Sequence, residues 1–156
     1  MPGVTTTINV YKAFYTQLTS DATLVALLGH TVSDIRIGKA NKEAEPMPFR
    51  CLTYEITDEV SVGGSEQMTR NILTVNVWTK RSSSEIGPDL VAEILANHAR
   101  GTLQGFTTYD AGLDWEIMPL RYSNGTKAIY DKDMESWYVR LQFKFNLRTP
   151  CKEVYL

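Results

Sequence analysis

The chain has 156 residues, 43% hydrophobic and 22% charged, with a formal net charge of -2, a composition that suits one globular domain burying about two thirds of its unfolded surface. Near-neutral charge excludes a global attraction to nucleic acid or anionic membrane. No run approaches the ~18 apolar residues of a membrane span, and two isolated cysteines, Cys51 and Cys151, exclude a cysteine-built metal site.

The N-terminal residues lack a basic segment followed by an apolar run, so a cytosolic protein with reduced thiols is expected. Ile8, Tyr11, Phe14, Tyr15 and Leu18 recur at helical spacing, predicting an amphipathic helix from Thr7 to Thr19 capped by Thr6 or Thr7. Ser20 or Asp21 caps a second, short helix with Leu24, Leu27 and Leu28 on its apolar side, and Gly29 ends it. Ile35 and Ile37 mark a short strand, followed by a charged loop through Pro46-Met47-Pro48. Leu52, Tyr54 and Ile56 alternate with polar neighbours, as do Leu73, Val75 and Val77, predicting two half-buried strands. The polar, glycine-bearing segment Asp58 to Gln67 joins them as a long hairpin loop.

A serine at 82, 83 or 84 is expected to cap the longest helix, which runs to Arg100 with Pro88 in its first turn, Leu90, Val91, Ile94 and Leu95 on one stripe, and Gly101 near its end. Leu113, Trp115 and Ile117 give the next strand, Ser123 to Glu135 a loop, and Trp137 to Arg148 a final strand. In that strand Trp137, Val139, Leu141, Phe143, Phe145 and Leu147 share one face; Tyr138, Arg140, Gln142, Lys144, Asn146 and Arg148 share the other. The second face is polar, so the sheet has one wet or partner-facing surface. The predicted fold is a single α+β domain over residues 1–156: an antiparallel or mixed sheet of about five strands, two to three helices on one face, a long β-hairpin loop, and flexible ends at 1–6 and 149–156.

No catalytic constellation is legible. His30 and His98 lie far apart and outside any His-Glu-x-x-His pattern, and Gly63-Gly64 is flanked by strands on both sides, unlike a phosphate loop. Asp114 and Glu116 share a strand face as paired acids in a hydrolase do, but Arg140 and Lys144 on the final strand are natural cross-strand partners for them. Arg70, Lys80, Lys127, Lys132, Arg140, Lys144 and Arg148 are interleaved with acids and lack an aromatic ladder, which speaks against sequence-specific nucleic-acid reading. Val60, Val62, Ile129, Tyr130 and Met134 are apolar residues in segments read as polar loops, where they either await a partner or fold back on the domain.

The order of elements, the segment Asp21-Ala-Thr-Leu-Val-Ala-Leu-Leu-Gly29, the lead Pro46-Met-Pro-Phe49 into a strand, and Val75-Asn-Val-Trp78 before a serine-capped helix resemble the tail terminator (tail completion, or tail-to-head joining) proteins of long-tailed bacteriophages. The resemblance spans about Val10 to Arg148. It implies a non-enzymatic virion subunit without metal or cofactor, assembled in the host cytoplasm into a hexameric ring at the head-proximal end of the tail. Such a ring would stop tail-tube polymerisation and meet the head-tail connector, with DNA passing through its lumen unread and no membrane involved. Candidate interface residues, chosen from this chain alone, are Val60, Val62, Gly63, Gly64, Glu66, Tyr130, Arg140, Lys144 and Arg148. Two other readings are another neck or head-completion protein, and a small enzyme or ligand-binding module using His98 with Asp114 or Glu116.

Overall fold

The computed structural model describes residues 4–29, 35–37, 50–62, 67–80, 87–112 and 114–149. Three helices, α1 (Val4–Thr19), α2 (Ala22–Leu28) and α3 (Pro88–Leu103), accompany eight strands: β1 (Ile35–Ile37), β2 (Arg50–Val62), β3 (Gln67–Thr79), β4 (Thr108–Asp110), β5 (Trp115–Ile117), β6 (Arg121–Gly125), β7 (Ile129–Asp131) and β8 (Ser136–Thr149). All eight strands belong to one sheet with the path β1-β2-β3-β8-β5-β4. Every pairing is antiparallel except β1 with β2, so the sheet is mixed and the α+β class holds.

The long strands form the frame. β8 is bonded along one edge to β3 over its full length, from Gln67↔Thr149 to Thr79↔Trp137. Its other edge is shared end to end by β7, β6 and β5. β4, β6 and β7 go beyond the five expected strands, and β6 and β7 occupy much of the segment read as a loop from Ser123 to Glu135. Both are short and mostly exposed, with Gly125 and Asp131 at their ends, and their strand character comes from the edge that β8 offers rather than from their own periodicity. The hairpin loop is likewise shorter than expected, because β2 continues to Val62 and β3 begins at Gln67. A register shift between Asp58 and Val60 absorbs the break in alternation that disguised this arm.

The helices cover one sheet face, where alternate residues of the long strands, Leu52, Tyr54, Leu73, Val75, Val77, Val139, Leu141, Phe143, Phe145 and Leu147, are buried together. Phe14 of α1 is fully buried and meets Phe145 and Phe106 at ring-centre distances of 5.4 and 5.8 Å. Tyr54 donates its hydroxyl to the Tyr11 carbonyl at 3.0 Å, and the Tyr11 hydroxyl accepts the Ile56 N–H at 2.9 Å. Burial, with the Tyr15 and Tyr11 phenols nearby, pushes the Tyr54 hydroxyl above its ordinary range and keeps it neutral.

Helix ends depart from expectation in instructive ways. α1 begins at Val4, so Thr6 and Thr7 lie inside it rather than at its cap. Asp21 caps α2 as expected, accepting the Thr23 and Leu24 N–H groups at 3.1 Å each, and Gly29 closes it at φ 146°. α3 starts at Pro88 behind Gly87, without a side-chain cap, and the serines at 82–84 lie outside the described residues. Gly101 is within α3, and the positive φ that follows the helix falls on Gly105.

The expected apolar stripe of α3 divides. Val91 and Leu95 are buried with Ala92, Ala96, Ala99 and Leu103, whereas Leu90 and Ile94 are 45% and 46% exposed. The alanines let the helix lie close to the sheet, and that rotation turns the two larger side chains outward.

Candidate interaction surface

The second sheet face carries Arg140, Lys144 and Arg148 of the residues named from sequence, and it is not uniform. At one end Cys51, Trp78 and Tyr138 lie in register across β2, β3 and β8. Trp78 and Tyr138 are 4.9 Å apart at their ring centres, Met134 packs against them, and the Trp78 indole donates to Thr53 Oγ1 at 3.1 Å. Met134 therefore folds back on the domain. Thr53, Thr74 and Asn76 are also buried, so the centre of this face is a close-fitted layer of small polar side chains rather than an open wet plane.

Further along, charge takes over. Arg140 is exposed, donates Nε–H to Asn76 Oδ1 at 3.0 Å, and its backbone N–H reaches Thr126 Oγ1 at 3.1 Å. Lys144 is exposed and stands in register between Ile72 of β3 and Arg121 of β6. Arg70, also exposed, shares this face one step toward the hairpin, opposite Asn146. Among the described residues, the side chains of Arg70, Arg121 and Lys144 make no hydrogen bond or ion pair. Like charges directly across a ladder, as at Arg121 and Lys144, oppose folding of the isolated chain.

The expected cross-strand pairing of Asp114 and Glu116 with Arg140 and Lys144 is corrected by the register. Glu116 lies opposite Arg148, whose guanidinium is 3.3 Å from Asp114 and 3.6 Å from Glu116. Glu116 occurs on the predicted face, whereas Asp114 precedes β5 in a turn at φ 52°, and β5 pairs with β8 beyond Lys144, at Leu147 and Arg148. Tyr109 donates its hydroxyl to Asp114 at 3.1 Å and completes this cluster.

The remaining sequence candidates separate. Tyr130 in β7 is 47% exposed and meets Trp137 edge-on at 5.4 Å. Val60 and Val62 stand in β2 opposite Arg70 and Met68 rather than in a loop. Gly63, Gly64, Glu66 and His30 lie outside the described residues.

His98 does not meet Asp114 or Glu116; its partner is Asp21. The His98 Nε2 atom is 3.2 Å from Asp21 Oδ2, which also accepts the Thr102 hydroxyl at 2.6 Å, while Gln17 donates to the Thr102 carbonyl at 2.9 Å. One carboxylate thus caps α2 and ties it to α3. Burial raises the Asp21 pKa, but hydrogen bonds from Thr102, the Leu24 N–H and His98 outweigh that cost and hold it below its ordinary 3.8. Among the described residues no cluster of three or more His, Cys, Asp or Glu could hold a metal ion, and no helix is long and apolar enough to cross a membrane.

A cleft of about 200 Å³ between α3 and the β6–β8 edge is lined by Glu93, Asn97, Arg100, Tyr122, Val139 and Leu141. Arg100 lies over the Tyr122 ring at 3.7 Å, and a side chain at Gly125 would collide with the Tyr122 hydroxyl. Sequence reasoning missed the exposure of Leu90 and Ile94; the signal was the alanine series at 92, 96 and 99 on the opposite side of the helix.

No protein-family model matches the chain, and no curated protein matches it in sequence. Among solved structures, a chain in one described as "Virion of native gene transfer agent (GTA) particle" is similar, with a TM-score of 0.63 at 15% identity, over 86% of this chain and 91% of that one. This chain therefore shares the fold of that chain over most of the length of both.

Proposed function

We propose that this protein is a virion structural subunit whose ring caps the phage tail tube, ends its polymerisation and offers the surface that joins the tail to the head connector. The observation that carries the reading is the backbone likeness to a gene transfer agent virion chain over 86% and 91% of the two chains. The order of elements shared with tail terminators gives the finer assignment. In it the subunits form a hexameric ring at the head-proximal end of the tail, with the tail tube protein on one side, connector proteins on the other, and DNA passing through the lumen without base contacts. Val60, Val62, Gly63, Gly64, Glu66, Tyr130, Arg140, Lys144 and Arg148 remain the candidate contact residues.

The test is mass in solution across concentration by light scattering, negative-stain imaging of the same sample, and co-sedimentation with tail tubes. A closed ring of about six copies, each contact burying roughly 1,000 Å² or more, with capture by tubes, is the expected result. A monomer at every concentration that also ignores tubes overturns the reading. Capture by head connectors and not by tubes moves the protein to the neck.

A further inference from the structure

We infer that the ring closes head to tail, with the α3 crest of one copy seated on the cationic end of the next copy's exposed sheet face. The inference rests on the ring reading above and names the two surfaces that meet. On the crest, Leu90 and Ile94 are 45% and 46% exposed, with Asp89 and Glu93 beside them at helical spacing. Neither acid makes a side-chain hydrogen bond or ion pair among the described residues. On the opposite side of the sheet Arg70, Arg121 and Lys144 surround Ile72, equally without partners.

One surface is apolar with unpaired acids, the other cationic with unpaired bases around Ile72, and they stand on opposite faces of the same subunit. A two-fold contact would set acid against acid or base against base. A heterologous contact sets each against its complement, and such contacts make a ring when the rotation between copies closes, as the ring reading requires. The packed side of α3 explains why the crest is available: the alanines at 92, 96 and 99 occupy the sheet contact and leave Leu90 and Ile94 facing outward. Nucleic acid is a poorer occupant for the bases, because Glu55 and Glu116 share their face and a polyanion leaves the apolar, acidic crest unused.

Sedimentation velocity tests this with two charge-reversed chains, Glu93→Lys and Arg121→Glu/Lys144→Glu. Each alone should raise the concentration for half-assembly by about tenfold or more. An equimolar mixture should restore assembly, since each chain then supplies the complement the other lost, in rings where the two alternate. Ile94→Ser, which removes apolar contact without altering charge, should weaken assembly in the same direction. The proposal is overturned if a wild-type ring forms and the reversed chains assemble at wild-type concentration. It is equally overturned if the mixture stays dissociated while circular dichroism shows both chains folded. Reversed bases that leave assembly intact but abolish retention of duplex DNA assign those residues to nucleic acid instead. A wild type that is monomeric throughout removes the ring reading itself, a result separate from all of these.

Discussion

The two faces of the long strands, built from alternate residues of the same β2, β3 and β8, show how one sheet serves two purposes. Under the helices the strands present Tyr54, Leu73, Val75, Phe143 and Phe145, large apolar side chains whose burial supplies most of the stability. On the other side, beyond the small Cys51–Trp78–Tyr138 cluster, the same strands present Thr53, Thr74, Asn76, Arg140 and Lys144, which bury far less apolar area. Stability is concentrated on one face, leaving the composition of the other open to recognition.

The largest effect that would expose this asymmetry comes from Phe14→Ala. The ring is fully buried between Phe145 and Phe106, so its loss should cost about 3–5 kcal/mol in urea unfolding; a loss below ~1 kcal/mol would mean the helical layer adds little to the sheet.

The joint between helices is next. Asp21→Ala should cost about 1–2 kcal/mol by removing the α2 cap and its tie to Thr102 and His98. Asp21→Asn keeps a competent cap and isolates the charge. Because the folded carboxyl sits below its ordinary value, its contribution is present above about pH 4 and is lost as pH falls through the folded value. Stability-versus-pH curves of wild type and Asp21→Asn should therefore converge on acidification; parallel curves would show that the carboxylate charge contributes nothing.

The smallest effect is expected on the displaying face, where Lys144→Ala should change stability by less than about 0.5 kcal/mol. Loss of a kilocalorie or more would make that lysine part of the scaffold and erase the division between the faces.

What could be read from the chain follows this division. The sheet residues that face the helices declared themselves by alternation, and both the α+β class and the extent of β8 follow from them. The β6 and β7 strands were hidden because Arg121–Gly125 and Ile129–Asp131 lack the alternation of a strand buried on one face and are recruited by the edge of β8. The partner of His98 was illegible because Asp21 reaches it only after α2 and α3 have packed. Glu116 was placed on the right face while Asp114 fell in the turn before β5, and their pairing depended on register, which alternation alone does not determine.

The Tyr11 hydroxyl gives a lasting consequence. Among the described residues β1 covers β2 from Leu52 to Tyr54, and the next outward N–H, on Ile56, is taken by that phenol. An amide so occupied is unavailable to template a foreign strand. One oxygen of α1 thus closes this position of the β2 edge to edge-to-edge pairing with another chain.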